Sequence, residues 1–324
     1  MTPLAEILRD EIRRDGPITF ARFMEMALYH PQFGYYRRPH DPFGIHGDYY
    51  TAEQVQPVFG ILIAERIREL RRSMGDVGDF TVVELGAGRG EMAAALAEFR
   101  YVPVEIGSGE MPARIRGVVF SNEFFDSLPV HVALMRDGAA RELRVGLKGD
   151  GFCWVEAGAA SGEVERYRKS YLGALPEGHI FEAGLKSLEW LERIAASLDA
   201  GYVFSVDYGY TAPEMVRFPC GTLMSYRRHR AMEDVLNDPG GQDITAHVCF
   251  SAMEWFGRAI GLETIVFELL ARTLIAAGEA DQFVRALAAG TTAEEQRRRL
   301  QLKQLLVGMG ETFRVLIQRK DGGK

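Results

Sequence analysis

Thr81-Val82-Val83-Glu84-Leu85-Gly86-Ala87-Gly88-Arg89-Gly90-Glu91 is the stretch on which the reading of this chain turns. A β-branched run ends in an acid and then in three glycines at alternate positions, and a helical pattern from Met92 to Phe99 follows at once. Strand, tight turn and helix open a nucleotide-type βαβ unit. The spacing selects the nucleotide. A dinucleotide fingerprint reads G-x-G-x-x-G and presses a helix N-terminus on a pyrophosphate. Here the third glycine comes one residue early, and Glu91 stands where that phosphate would lie. A carboxylate beside a pyrophosphate repels it. S-adenosylmethionine carries a sulfonium and an ammonium and no phosphate, so an acid-rich Glu-x-Gly-x-Gly-x-Gly loop suits it. On that reading Glu84, Gly86, Ala87, Gly88 and Gly90 bind the donor; the competing reading is a glycine turn closing an ordinary α/β strand.

Working outward, Tyr101-Val102-Pro103-Val104-Glu105-Ile106 is a second short apolar strand. Glu105 lies about twenty residues past the loop, where doubly wound folds place an acid on the ribose hydroxyls. A third strand, Gly117-Val118-Val119-Phe120-Ser121, runs into Asn122-Glu123-Phe124-Phe125-Asp126. In methyltransferases a polar-aromatic segment at this point lines the gap between donor and acceptor, and Asn122 is expected on the donor side of it.

The chain as a whole resembles the MidA-like S-adenosylmethionine-dependent methyltransferases. This bacterial and mitochondrial family includes a protein arginine methyltransferase of respiratory complex I assembly. The resemblance rests on Phe23 to Pro31, Phe33 to Tyr36, Gly47 to Ala52, Glu84 to Gly90 and Asn122 to Val130, and continues through Asp207 to Tyr210, Asp243 to Val248 and Gly308 to Glu311. It implies an α/β fold: a Rossmann-like class I methyltransferase sheet with an N-terminal helical segment and a β/helical insertion on the substrate side. Residues 1–75 would hold the N-terminal helices and a loop covering the cofactor, and 76–324 the core, with insertions at about 132–156 and 221–306. It also implies that Thr51, in Gly47-Asp48-Tyr49-Tyr50-Thr51, lies over the methionine part of the donor. The alternative for that segment is a turn feeding a helix from Gln54 to Met74. Two departures stand out. Only about a dozen residues separate Glu105 from Val118, where the family has a helix and another strand, and Cys249 replaces a usual acid.

Composition bounds the rest. With 324 residues, 47% apolar and 26% charged, the chain is long enough for a sizeable core. A net charge of −7 with no isolated Lys/Arg block disfavours nucleic acid. No apolar run approaches a membrane span. Cys153, Cys220 and Cys249 are scattered, and His30, His40 and His46 lack ligand spacing, so no metal site is expected. Glu6, Asp10 and Glu11 among the N-terminal arginines speak against a signal or transit peptide, and a cytoplasmic location is expected.

Along the chain, helices are predicted over Pro3 to Arg14 and Thr19 to Tyr29, with Thr19 as N-cap. Val132 to Glu156 alternates and turns at Asp137-Gly138, the pattern of antiparallel strands. A helix over Leu185 to Leu198 leads to a continuous apolar strand, Gly201 to Tyr210, with the acid Asp207 toward its C-terminal end. Ser251 to Leu306 reads as mostly helical, with Gln296 to Arg299 a solvated face, and Glu311 to Gln318 as a final strand.

Methyl transfer is an in-line displacement that asks mainly for alignment at about 3 Å. A guanidinium acceptor, the one the resemblance implies, needs a carboxylate to localise its charge and orient one nitrogen. Glu123, Asp126 and Asp207 are the candidates, each with helix capping as its alternative. His247 is either a proton acceptor or a hydrogen-bonded loop histidine. The expected function is therefore methyl transfer to arginine of a protein partner. A non-catalytic assembly factor keeping the fold, or a small-molecule methyltransferase, are the other readings.

Overall fold

The computed structural model describes residues 2–38, 56–107, 109–227, 230–232 and 234–322. Thr51 and the Gly47 to Thr51 segment, with His40 and His46, lie outside the described residues. The first elements are α1 (Pro3–Asp15), β1 (Ile18–Thr19), α2 (Phe20–Tyr29), α3 (Val58–Ser73), β2 (Thr81–Leu85), β3 (Arg100–Val104) and β4 (Ile115–Asn122). There follow β5 (His131–Arg136), β6 (Ala139–Lys148), β7 (Gly151–Ala159), α4 (Gly162–Tyr167), β8 (Ile180–Ala183), α5 (Leu185–Ser197) and β9 (Leu198–Tyr210). The last part holds β10 (Met224–Arg227), β11 (Arg230–Met232), β12 (Asp243–Thr245), β13 (Val248–Cys249), α6 (Phe250–Ala259) and β14 (Glu263–Leu269). It ends with α7 (Leu270–Glu279), α8 (Val284–Leu287), α9 (Thr292–Gln304) and β15 (Phe313–Lys320).

These elements assemble into two compact units, each from three separated stretches. The first comprises Met1–Tyr50, Phe125–Trp190 and Gly209–Trp255. Its main sheet runs β1-β6-β5-β8, with β7 on β6, and every pairing is antiparallel. The β5–β6 hairpin turns on Asp137 (φ 53°) and Gly138 (φ 73°), two left-handed residues that match the strand twist. Thr2 and Thr19 cap α1 and α2, accepting hydrogen bonds from the backbone N–H groups of Ala5 and Arg22. The stripe Phe20, Phe23, Met24, Ala27 and Leu28 is buried with Leu4 and Leu8 against Val132, Val145 and Ile244. Each of the buried Phe, Met and Leu side chains in this stripe contributes about 1.5–3 kcal/mol.

The second unit comprises Thr51–Phe124, Leu191–Tyr208 and Phe256–Lys324. Its sheet has the order β14-β15-β9-β4-β2-β3. β3, β2, β4 and β9 are mutually parallel, and β15 is antiparallel to both β9 and β14. Buried on one face are Phe59, Ile63 and Ile67 of α3 and Leu270 and Leu274 of α7, against Val82, Val118, Phe120 and Phe204. Among the described residues no strand lies outside β3, so the short segment after Glu105 leaves the sheet one edge strand below the family pattern.

Two sequence expectations fail in this unit. Met92 to Phe99 forms successive turns and no regular helix, although Met92, Leu96 and Phe99 are still buried as a helical face would bury them. The stretch read as mostly helical contains β14, whose Glu263-Thr264-Ile265-Val266-Phe267-Glu268-Leu269 alternates as an edge strand does; pairing with β15 decides its state.

Candidate active site

The parallel registers fix where the carboxyl ends of the strands fall. Leu85 is opposite both Val104 and Ser121, and Asn122 is opposite Val206. The glycine loop, Glu105, Asn122 and Asp207 therefore emerge along one edge of the sheet, where ligands sit in open α/β folds.

The loop is held by its own backbone. Gly86, Gly88 and Gly90 have φ of 67°, 54° and 75°, a region that side chains with a Cβ resist. Gly86 N–H donates to Val104 O at 2.8 Å, and Gly90 N–H to Ala87 O at 2.7 Å. A Cβ on Gly86 would stand 3.0 Å from the Phe124 ring. Ala87 is buried, while Gly88 is exposed and its N–H donates to Glu105 Oε1 at 2.5 Å.

Three acids converge here. Glu84 is 1% exposed, and the Tyr101 hydroxyl donates to its Oε2 at 2.5 Å. Burial pushes the Glu84 carboxyl up to about 7; the Tyr101 hydrogen bond opposes this, and the charges of Glu105 and Glu91 add to it. Glu91 is paired with Arg89 at 2.6 Å. At the end of β4, Asn122 Nδ2 donates to Glu123 Oε1 at 3.2 Å, while its buried Oδ1 has no hydrogen-bond partner among the described residues. Glu123 adopts a left-handed φ of 52°, and its N–H donates to Val206 O at 3.0 Å. A non-glycine residue in that region stores strain of the kind that gathers at functional sites. Asp207 is 1% exposed and its Oδ1 accepts from Tyr208 N–H at 3.0 Å.

This site fits a cationic, phosphate-free nucleoside. It offers carboxylates where a phosphate would need donors, a loop whose glycines leave room for close approach, and an orphaned buried amide oxygen.

The first unit holds Asp126 and His247. Asp126 is buried, and its carbonyl accepts from Ala246 N–H at 2.9 Å, which ties it to the residue before His247. His247 N–H donates to Thr222 Oγ1 at 3.0 Å, and its ring meets Phe218 edge-on at 5.3 Å. Burial pulls the imidazole down to about 4, so it is neutral at physiological pH. His247 lines a small pocket with Tyr167, Glu182, Ser187 and Cys249. Glu182 is buried and accepts from both the N–H and the hydroxyl of Thr222, each at 2.9 Å. Burial raises both the Glu182 carboxyl and the Cys249 thiol, the latter to about 11, which makes it an inert core thiol. Among the described residues no group of three or more His, Cys, Asp or Glu could hold a metal, and no helix is long and apolar enough to cross a membrane.

Sequence reasoning missed Tyr101, Glu182 and Thr222. Tyr101 reads as one more strand aromatic, and only the β2–β3 register brings it to Glu84. Glu182 and Thr222 are forty residues apart, with nothing in either segment to join them.

A Rossmann-like sheet with an acid-and-glycine loop on its carboxyl edge is the site of a class I methyltransferase. Residues 101–268, more than half of the chain, match the family described as "Putative S-adenosyl-L-methionine-dependent methyltransferase", and this chain belongs to that family. It is similar to the Drosophila melanogaster protein arginine methyltransferase NDUFAF7 homolog, a mitochondrial protein. The two are 26% identical over 320 residues, covering 80% of this chain and 70% of that protein. The Bos taurus protein arginine methyltransferase NDUFAF7, also mitochondrial, is 28% identical over 318 residues, covering 78% and 68%. A COG1565 superfamily member from Burkholderia thailandensis, solved with S-adenosyl-homocysteine bound, superposes with a TM-score of 0.88. That pair is 28% identical over 99% of this chain and 92% of the other. The chain is thus an S-adenosylmethionine-dependent methyltransferase. The cytoplasmic location expected from the N-terminal charges is overturned by the mitochondrial relatives. Those charges belong to α1, a packed amphipathic helix whose Arg9 donates to Asp150 O, so they report on folding and not on an address.

Proposed function

We propose that the methyl acceptor is a guanidinium nitrogen of arginine in a protein. The observation that carries this reading is the match to relatives named as protein arginine methyltransferases across most of both chains. Support comes from carboxylates toward the carboxyl ends of the strands: Asp207 is buried in β9 three residues before its end at Tyr210, and Glu123 is held in a strained conformation after β4. The family resemblance makes a respiratory-complex subunit the first acceptor to try.

When bound, the donor supplies a methyl carbon already activated by its sulfonium. We assign Glu84, Gly86, Ala87, Gly88, Gly90, Glu105 and Asn122 to donor binding, and Thr51 with them. Glu105 accepts from the ribose hydroxyls, exchanging the Gly88 N–H it holds in this structure. Glu123, Asp126 and Asp207 are assigned to the acceptor, where a carboxylate paired with the guanidinium localises charge and turns one nitrogen toward the reacting carbon. His247 is assigned a role as a neutral hydrogen-bond acceptor, since its buried ring does not take a proton until the pH falls to about 4.

The test is transfer of labelled methyl from S-adenosylmethionine into a lysate of the source organism, followed by acid hydrolysis of the modified band. Label in methylarginine is expected. Label confined to lysine, or to small molecules, would overturn the acceptor assignment.

A further inference from the structure

We propose that Tyr101 is a positioning residue for donor binding, its hydroxyl holding Glu84 beneath the glycine loop as the negative charge that a cationic donor requires. The inference rests on the donor and is independent of the acceptor.

The geometry begins with the strand register. Tyr101 of β3 lies opposite Val82 of β2, so its side chain shares the sheet face of Val82 and of Glu84 two residues on. The ring packs against the buried cluster that contains Val82 and Phe120, and its hydroxyl reaches Glu84 Oε2 at 2.5 Å. A phenol anchored in this way is preorganised as a donor to an ionised carboxylate and is of little use to a protonated one.

Glu84 needs that donor because of what surrounds it. Its in-register neighbours, Pro103 and Phe120, carry no titratable group. The other groups that act on it are Glu105 at the end of β3 and Glu91 in the loop, and both oppose its charge. The nearby cation, Arg89, is spent on Glu91. Glu105 accepts the Gly88 N–H. The Tyr101 hydroxyl is therefore the group that favours the ionised form of this buried acid, against burial and two like charges.

The experiment is calorimetric titration of S-adenosylmethionine into wild type and Tyr101→Phe from pH 6 to pH 9. The substitution keeps the ring in the core and removes one hydrogen bond to a charge. If that bond holds Glu84 about one pKa unit lower, the variant binds about fivefold more weakly at pH 7 and approaches tenfold at pH 6. By pH 9, where Glu84 is ionised in both proteins, the difference should fall below about 1.5-fold. In a Glu84→Gln background the same substitution should change nothing at any pH. A wild-type to variant ratio constant across the pH range would assign Tyr101 to packing alone. Equal affinities throughout, or an undiminished effect in the Glu84→Gln background, would also sink the proposal. None of these outcomes depends on finding a methyl acceptor.

Discussion

At the scale of single residues, the glycine loop and its acids were legible because their chemistry is local. Three glycines at alternate positions predict a tight turn, and all three adopt a left-handed backbone there. A Gly88→Val change should abolish measurable donor binding in calorimetry, because a β-branched side chain resists φ 54° and crowds the loop where the donor must approach. What was not legible is strain on a residue that looks ordinary. Glu123 in Asn122-Glu123-Phe124 carries no turn signal, yet it holds φ 52° because the chain must leave β4 while its N–H still bonds Val206 O. Glu123→Gly should therefore hold or raise stability, by up to about 1 kcal/mol, since glycine takes that conformation without strain. The same variant should lose methyl transfer if the carboxylate serves the acceptor. Urea unfolding and a transfer assay on one preparation check both halves; a clear loss of stability would show that the conformation is not strained.

Elements were legible where period and caps agreed. α1, α2, β2, β4, β5 to β7, α5, β9 and β15 fall close to their predicted spans, the helices through a buried face at helical spacing and β2, β4 and β9 as apolar runs buried along nearly their whole length. Misreadings arose where partners decide. β14 lies in a stretch of helix formers, and the strand next to it in the sheet, β15, comes more than forty residues later. Met92 to Phe99 has helix-forming composition and still forms turns. The lack of a strand beyond β3 among the described residues, by contrast, agrees with the short count between Glu105 and Val118. The caps are the cheapest element-scale test. Thr19 accepts from Arg22 N–H at 3.1 Å, so Thr19→Ala should cost about 1 kcal/mol in urea unfolding, with Thr19→Asn close to wild type. Equal losses in both would assign Thr19 to packing.

At the scale of the whole molecule, a linear reading cannot show that both units are assembled from three stretches each, because contacts and not sequence order define them. Nor can it weigh two buried titratable groups whose shifts oppose each other. Glu84 is raised from 4.5 to about 7, so the folded chain holds its proton more tightly than the unfolded chain does. That contribution to stability is complete below pH 4.5 and is lost as the pH rises to 7, a change of about 3 kcal/mol. His247 is lowered from 6.5 to about 4, so its contribution is complete above pH 6.5 and lost as the pH falls toward 4, by a similar amount. Between pH 4.5 and 6.5 the two slopes run against each other, so their joint contribution to donor-free stability should be nearly flat. Removing one exposes the other. Glu84→Gln should match wild type near pH 4.5 and grow progressively more stable than it toward pH 7, by up to about 3 kcal/mol, while binding the donor more weakly. Unfolding midpoints at half-unit pH steps decide the matter: a constant offset between the two proteins would mean that Glu84 does not titrate in this range. A gap that widens with pH means instead that the fold carries an ionised, buried acid at a standing cost to its stability, as expected of a group kept for the donor's positive charge and not for packing.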